Sequence, residues 1–335
     1  MLRKVVLAFA AALMLAGAGA HDASAQARKL VLVTPGIPPI FASTIAAVAD
    51  KQGFFKKFGV DVEVKSVETG TIGARALVAG DVDLSLSPTP LIVAQISNAN
   101  VDIVGIYGLP SPSFLLASTD PNATCKDVAG QPVGVDAVGG ARAVALRQMI
   151  APCGVDFASV QQIALPSAAT QQAMIAGRIK FGVLHFDELP VVEAQGKPVK
   201  VVTTLNEANP NSHFALIAVR RAHLKDNRDA YVRVVAGLIA AARFIAEPKN
   251  ANRVAEIIAR PGRSADEVKV ALKRFVAVNY WPVNDDGLPQ GKLDAVVATA
   301  VRTGGILAGK QPVTYERLVD RSVWKDAEAL VAKGS

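Results

Sequence analysis

The sequence predicts an α/β protein of two similar lobes, each a mixed sheet flanked by helices, joined by two crossing segments. First, short apolar runs typical of buried strands alternate with helix-like segments up to about residue 219. Second, the course helix, glycine, strand occurs twice, at residues 76–83 and 174–181. Third, the chain becomes almost wholly helical from Lys225 onward. A single sheet of nine or ten strands is the alternative.

The first unit runs strand, loop, helix, strand. Residues 30–33 are apolar and mostly branched, as in a strand buried on both faces. Three prolines within residues 35–39 open a loop, a helix is expected over 40–51, and the next strand over 60–64. Ligands of open α/β sheets bind at the carboxyl ends of strands, where this loop lies. A loop that only connects its neighbours is the plain alternative.

The rest of each lobe follows the same pattern. Further strands are expected at residues 81–87, 101–107, 133–135, 160–165, 181–185 and 199–204. Intervening helices are expected over 72–78, 166–177 and 187–194; a further helix begins near residue 89, and another ends near residue 150. Terminal helices are expected over 226–246, 251–259, 265–276, 292–303 and 315–332. Residues 114–118 and 214–219 are the expected crossing segments.

Composition and charge narrow the function classes. Of the 335 residues, 51% are hydrophobic and 19% are charged, which is typical of a globular protein. The formal charge of +7 is spread along the chain without a basic run interleaved with aromatic residues. A nucleic-acid partner is therefore not expected.

The N-terminus predicts export. Arg3 and Lys4 precede an apolar stretch at residues 5–20, and the small residues 23–25 place a signal-peptidase cut before Gln26. A membrane anchor is the alternative, but the stretch is short for one. No cysteine precedes Cys125, so a lipoprotein signal is not expected and the mature chain should be free in the periplasm.

The two cysteines, Cys125 and Cys153, would meet an oxidising compartment after export. A disulfide between them is therefore expected rather than two free thiols. A metal site would need more ligands than two cysteines and the scattered histidines supply.

Several segments carry a family resemblance. They are ADKQGFFKKFGVDV at residues 49–62, AGDVD at 79–83, KDVAGQPVGV at 126–135, TGGI at 303–306 and YERLVD at 315–320. In this order they resemble the type II periplasmic substrate-binding proteins of ABC importers, in the branch of nitrate, sulfonate, taurine and thiamine-pyrimidine-precursor receptors. The sequence departs from that pattern at Arg178 and Lys180, where an acidic residue usually precedes the strand.

The resemblance implies an architecture and a role. A signal peptide (1–25) would precede lobe I (26–115 and 216–335) and lobe II (116–215). The chain would be a monomeric receptor that captures a small polar or anionic organic solute between hinged lobes and delivers it to inner-membrane permease subunits. No cofactor is expected. The related pyrimidine synthases use a cysteine cluster with iron that is absent here, and common catalytic motifs are absent too, so we expect no enzymatic activity.

Two other roles stay open: a periplasmic enzyme on the same fold and a solute sensor for a membrane kinase. The expected ligand-binding residues follow strands or border the crossing segments. They are Gly36, Ile37, Pro39, Phe41, Thr69, Thr71, Ser87, Thr89, Ser113, Gly139, Gly140, Ala141, Arg142, His185, Asp187 and His213. Several open helices whose first amide groups lack partners and favour an anion, with Gly139-Gly140 as the expected anion seat.

Individual side chains have competing interpretations. Arg142 would clamp a carboxylate or sulfonate, or would be a solvated arginine in the first turn of its helix. His185 and His213 would bind solute or be satisfied locally. Asp187 is expected to cap its helix rather than contact ligand. Phe41 would stack on a ring or belong to the core. The aromatic loop at residues 280–282 looks exposed and would either cover the cleft or pack between helices, and packing is expected.

Overall fold

A computed structural model describes residues 29–37, 39–138, 140–165, 167–196 and 198–334. The expected signal peptide and Gly139 lie outside these residues. Among the residues described, no helix combines the length and the apolar character that a membrane span requires.

Ten strands are present within these ranges. They are β1 (Leu30–Pro35), β2 (Val62–Val67), β3 (Leu84–Pro88), β4 (Ile103–Leu109), β5 (Phe114–Ser118), β6 (Pro132–Val135), β7 (Gln161–Ala164), β8 (Phe181–His185), β9 (Lys200–Thr204) and β10 (Ala215–Arg220).

The helices flank these strands and dominate the C-terminal part. They are α1 (Thr44–Lys51), α2 (Phe54–Lys57), α3 (Gly70–Ala79), α4 (Thr89–Ala99), α5 (Ala141–Ile150), α6 (Ser167–Ile175), α7 (Leu189–Glu193), α8 (Leu205–Ala208), α9 (Arg221–Asp226), α10 (Arg228–Ala246), α11 (Ala251–Ile258), α12 (Ala265–Ala277), α13 (Gln290–Arg302), α14 (Tyr315–Leu318) and α15 (Ser322–Lys333).

The strands form two five-stranded sheets with the same topology. The orders are β2-β1-β3-β10-β4 and β7-β6-β8-β5-β9. In each sheet four strands run in the same direction, and one strand, β10 or β5, runs antiparallel to both of its neighbours. The expected two-lobed mixed fold is therefore confirmed, and the single large sheet is wrong for the described residues.

The chain passes between the sheets twice, from β4 to β5 and from β9 to β10. The crossings themselves are shorter than expected, because residues 114–118 and most of 214–219 are the strands that enter the opposite sheet. Asn206 Nδ2 donates to Pro112 O at 2.8 Å, and Lys292 Nζ donates to Pro110 O at 3.0 Å. The first crossing is thus held from both sides.

The repeated helix–glycine–strand pattern occupies equivalent positions in the two sheets. Helix α3 ends at Gly80 before β3, and α6 is followed by Gly177 before β8. The two glycines have φ angles of 91° and 70°, in the left-handed region that ends many helices. Because β3 and β8 occupy the same place in their sheets, the repeated sequence pattern predicts a real structural repeat.

Two expected elements differ from the structure. The helix expected over 40–51 begins with a 3₁₀ turn, Phe41–Ser43, before α1. The helix expected over 315–332 is interrupted between α14 and α15 because Val319 forms a parallel bridge with Gly105, and Asp320 N–H donates to Gly105 O at 2.9 Å. This contact covers the outer edge of β4, an edge strand that would otherwise offer unpaired backbone groups.

The disulfide between Cys125 and Cys153 is confirmed. It joins the 3₁₀ turn before β6 to the one after α5, with Cα atoms 6.1 Å apart. It therefore ties together two segments on the side of the second sheet that carries α5.

The largest core cluster extends across both halves. Its buried side chains include Phe41, Ile45 and Phe275 beside the first sheet and Phe186 and Leu189 beside the second. Helix α12 contacts α7, while α11 contacts α1. The C-terminal helices are therefore packed against both sheets, although they follow the last strand of the first.

Candidate functional site

The carboxyl ends of the first sheet's strands are linked by hydrogen bonds. Gly36 N–H, after β1, donates to Val67 O at the end of β2 (2.7 Å). Ser87 Oγ, at the end of β3, lies 3.3 Å from Gly70 O at the start of α3. These loops therefore lie side by side at one edge of the sheet, where the sequence places candidate site residues.

The second crossing joins the same edge. Thr89 N–H donates to Phe214 O at 3.1 Å, and Phe214 N–H donates to Leu109 O at 3.2 Å. Residues just before β10 thus connect the ends of β3 and β4.

Each crossing is attached to a strand end by a hydroxyl–imidazole pair. Thr89 Oγ1 lies 2.7 Å from His213 Nδ1, and Ser113 Oγ lies 2.7 Å from His185 Nδ1. In addition, Ser113 O accepts from Phe186 N–H at 3.1 Å. The two pairs occupy corresponding places in the two sheets, because β10 pairs with β3 as β5 pairs with β8.

Both ring nitrogens of His213 are used. Its Nε2 lies 2.7 Å from Gly287 O, and a carbonyl only accepts, so Nε2 carries the proton and Nδ1 accepts from Thr89. Burial lowers the pKa of His213 to about 4, against the opposing effect of the Gly287 bond. His213 is therefore a neutral residue satisfied within the protein.

His185 differs from His213 in its second nitrogen. Its ring is partly accessible, and no residue in the described ranges hydrogen-bonds to Nε2. Burial, with the Arg142 and Arg263 charges and against Glu188, lowers the pKa of His185 to about 4. A neutral ring with one uncommitted nitrogen can donate to or accept from a solute, depending on its tautomer.

Arg142 is enclosed, and the solvated alternative is wrong. Its side chain is 4% exposed; Nη1 donates to Val183 O at 2.5 Å and Nη2 to Glu188 Oε1 at 2.8 Å. Glu188 Oε2 accepts from His185 N–H at 2.8 Å. Although burial opposes ionisation, the Arg142 charge keeps the pKa of Glu188 below its usual value. Arg142 thus holds the loop after β8 in place through Glu188.

The start of α5 already holds a carboxylate. Asp136 Oδ1 accepts from Ala137 N–H at 2.9 Å and from Arg142 N–H at 3.1 Å. A Cβ at Gly140 would lie 2.6 Å from the same oxygen, so glycine allows this approach. Gly140 N–H itself donates to Ala137 O at 3.0 Å, so at least one amide of the expected anion seat is engaged within the protein.

Asp187 does not cap α7, so that expectation is wrong. The residue before α7 is Glu188, which makes no capping bond, and Asp187 Oδ2 instead lies 2.7 Å from Arg263 Nη2. Burial raises the pKa of Asp187 to about 6, with Arg263 opposing the rise and Glu188 adding to it. Sequence reasoning missed Arg263: its Pro261-Gly262 turn can be recognised, but its partner is 76 residues away.

Phe41 lies in an aromatic cluster. Its ring is 2% exposed and stacks on Phe275 with centroids 4.3 Å apart, with Trp281 at 5.7 Å. This placement favours the core interpretation of Phe41. The loop at residues 280–282 is buried, as its expected packing requires, because Tyr280 and Trp281 contact Phe275.

The remaining candidates lie on the same edges. Thr69 caps α3 by accepting from Ile72 N–H at 3.3 Å. The exposed members of the set are Ile37, Pro39, Thr69, Thr71 and Ala141, and the buried ones include Gly36, Ser87, Thr89 and Ser113. In the described part of the chain, no group of three or more His, Cys, Asp or Glu residues is arranged to hold a metal ion.

Comparison with known proteins identifies the family. The sequence model described as "NMT1/THI5 like" matches residues 41–251, more than half of the chain. The chain belongs to the NMT1/THI5-like family. No curated protein sequence matches it.

Solved structures of similar shape share the fold of this NMT1/THI5-like chain. A putative sulfonate ABC transporter's periplasmic sulfonate-binding protein from Methylobacillus flagellatus has a TM-score of 0.70 at 14% identity, with 91% of this chain and 95% of that one covered. The periplasmic nitrate-binding protein of Synechocystis scores 0.68 at 14% identity, covering 92% and 91%.

A third similar structure is a cysteine-to-serine mutant of DSZB in complex with biphenyl-2-sulfinic acid. It has a TM-score of 0.63 at 14% identity and covers 90% and 99% of the two chains. The comparisons therefore establish the type II periplasmic binding-protein fold.

Proposed function

We propose that this chain is the periplasmic receptor of an ABC import system, which captures a small polar or anionic organic solute and delivers it to inner-membrane permease subunits. One observation carries the proposal. The carboxyl ends of two equivalent sheets meet at a double crossing, where Ser113–His185 and Thr89–His213 form matching pairs. Such a junction is where a hinged pair of lobes encloses a ligand.

The lobes of this proposal follow the sheets, except that their boundaries fall one or two residues inside β5 and β10. Lobe I comprises residues 26–115 and 216–335 and lobe II residues 116–215, with the signal peptide at residues 1–25. The similar structures named as periplasmic support an exported chain. We also propose that the mature chain carries no lipid anchor. We further propose that the receptor acts as a monomer.

We propose that the solute carries an anionic head group. The arginines near His185 are matched by carboxylates, Arg142 by Glu188 and Arg263 by Asp187. The solute would therefore be held by hydroxyls, amides and the free nitrogen of His185 rather than by an unpaired cation. The names of the three similar structures, which include a sulfonate, nitrate and a sulfinic acid, are consistent with an oxygen-rich anion.

We do not propose catalysis. Both cysteines form the disulfide, so the chain offers no thiol nucleophile. The Ser113 hydroxyl meets His185 at Nδ1, and Glu188 binds the backbone amide of His185 rather than its ring. A nucleophile–base–acid relay therefore lacks its third member among the described residues.

The test uses the mature protein, from residue 26 onward. Native mass spectrometry detects any co-purified solute, and calorimetry follows binding of taurine, butanesulfonate, nitrate and a pyrimidine. We expect one solute class to bind with micromolar or tighter affinity and to remain chemically unchanged. Formation of a product from a bound solute would favour the enzyme alternative, and absence of binding across the panel would contradict the anion assignment. Neighbouring kinase genes, rather than permease and ATPase genes, would favour the sensor role.

A further inference from the structure

A tight turn between α11 and α12 presents one arginine to the second sheet. Arg260 and Arg263 exchange backbone hydrogen bonds at 3.0 and 2.8 Å. Pro261 and Gly262 occupy the two central positions, and Gly262 has a φ of 78°, which fits a type II turn. The backbone of this turn is therefore fixed by its own sequence.

The Arg263 side chain joins the two halves of the molecule. Its guanidinium donates to Asp187 at 2.7 Å, directly after β8, and lies 5.4 Å from the centre of the Phe41 ring, just after the loop that follows β1. The Arg263 and Asp187 side chains are only 10% and 7% exposed. Arg263 thus contacts both halves, and its ion pair with Asp187 is buried. Removing one partner of a buried ion pair costs more stability than removing one partner of a surface pair.

Helix α12 continues the same junction. Phe275 stacks on Phe41 at 4.3 Å and meets the Phe186 ring edge-on at 5.5 Å. Further out, Arg274 and Glu193 form an exposed ion pair at 3.7 Å. The turn and α12 thus form a third link between the sheets, beside the two crossings.

We propose that Arg263 is a positioning residue for solute capture, which holds the loop after β8 against the helix start after β1 and thereby sets how the two lobes close. The link to solute capture rests on the proposed receptor function; the mechanical link does not. Residues 185–188 contain His185, whose free nitrogen faces no described partner, so the position of this loop decides where that nitrogen lies.

Hydrogen–deuterium exchange of the solute-free protein tests the mechanical part. We expect Arg263→Gln to speed amide exchange at residues 185–188 and 41–45 at least tenfold, while strand β4 stays unchanged. Arg263→Lys, which keeps the charge but loses the planar fork, should fall between. Since Arg260 is near enough to attract Asp187, Arg260→Gln/Arg263→Gln is measured as well.

The matched control is Arg274→Gln, which removes the exposed ion pair between α12 and α7 and should change neither segment by more than twofold. Exchange that is unchanged in both Arg263→Gln and Arg260→Gln/Arg263→Gln, or that rises equally along the whole chain, would overturn the proposal.

A second measurement tests solute capture. Calorimetry with taurine, butanesulfonate and nitrate should give at least tenfold weaker binding in Arg263→Gln for whichever solute the wild type binds, and unchanged binding in Arg274→Gln. Equal affinities in Arg263→Gln and wild type would remove the role in capture. If the wild type binds none of the three, the anion assignment fails, while the exchange experiment still decides whether Arg263 links the lobes.

Discussion

At the scale of single residues, His213 connects protonation to stability. Its imidazole is neutral in the fold because burial lowers its pKa to about 4, whereas an exposed histidine titrates near 6.5. The unfolded chain therefore binds the proton more readily between these values, so stability present above pH 6.5 is lost as the pH falls towards 4. The size of this pKa difference corresponds to roughly 3 kcal/mol.

We expect the unfolding free energy of the wild type to fall between pH 6.5 and 4, and that of His213→Gln to fall less over the same range. Urea unfolding at a series of pH values measures both. His185, with a pKa also near 4, adds to the wild-type slope, while Asp187, with its pKa raised to about 6, loses its contribution as the pH rises and so opposes it. Identical slopes for the two proteins would show that His213 is not the group responsible.

The buried pair of Arg142 and Glu188 gives the second prediction. Arg142→Met should cost about 3–5 kcal/mol of unfolding free energy, because it leaves a buried carboxylate without its partner. Arg142→Met/Glu188→Gln should be more stable than the single variant, since Gln keeps an oxygen for His185 N–H and carries no charge. Chemical denaturation compares them; a double variant less stable than the single one would contradict this account.

The same double variant tests the original interpretation of Arg142 as an anion clamp, which stays a prediction. If Arg142 touches the solute, the stable double variant still binds it weakly. The sequence predicts a helix start at Arg142 and a strand end at His185, because both depend on local pattern. It does not predict that Glu188 pairs with Arg142 and Asp187 with Arg263. Those pairings span 46 and 76 residues of sequence and depend on how the helices pack.

At the scale of elements, two backbones meet at the end of β4. A Cβ at Gly108 would lie 2.2 Å from Gly287 O, the carbonyl that also accepts from His213. Gly108→Ala should therefore displace the loop before α13 and cost about 1–3 kcal/mol. Gly291→Ala is the matched control, since a Cβ there meets no atom within 4 Å and alanine favours helix α13; it should stabilise by about 0.4–1 kcal/mol.

Thermal unfolding of these two variants should thus shift in opposite directions from the wild type. A Gly108→Ala protein as stable as Gly291→Ala would mean that the two backbones are not in contact.

The disulfide is the second element-scale test. Cys125 and Cys153 are 28 residues apart, so the closed loop restricts the unfolded chain and adds roughly 3–4 kcal/mol in the chain-entropy account. Cys125→Ser/Cys153→Ser should lose about this amount in urea unfolding. Reductant should destabilise the wild type by a similar amount and leave the double variant unchanged, and a response of the double variant to reductant would contradict the assignment.

Sequence pattern predicts eight of the ten described strands and the longer helices, because their apolar periods and glycine stops are local. Strands β5 and β10 are expected only as crossing segments, and the short helices α2, α8 and α9 are not predicted. The pattern failed where a distant contact decides. Residues 315–332 have a helical pattern throughout, yet the chain straightens at Val319 to pair with Gly105. For the aromatic loop at residues 280–282 the sequence predicts packing, but not that its partners are Phe275 and Phe41.

At the scale of the whole molecule, the two sheets are repeats of one topology. The third link, formed by the Arg260–Arg263 turn and α12, has no counterpart in that repeat. Helix α12 covers α7 of the second sheet, whereas its sequence neighbours α10 and α11 pack on α1 of the first. The proposed closure of the lobes would therefore include movement at the Phe186–Phe275 contact or movement of α12 together with the second sheet.

Phe186→Ala separates these possibilities. Phe186 is 5% exposed, and its ring meets Phe275 across the junction. If that contact holds the halves together, its removal shifts the solute-free population towards open forms, and small-angle X-ray scattering should show a larger radius of gyration. Phe157→Ala is the control, because Phe157 packs with Arg147 inside the second half and its loss leaves the junction intact. An unchanged radius for Phe186→Ala in a protein with native circular dichroism would mean that α12 moves with the second sheet, so that the hinge lies between α11 and α12 rather than at the aromatic junction.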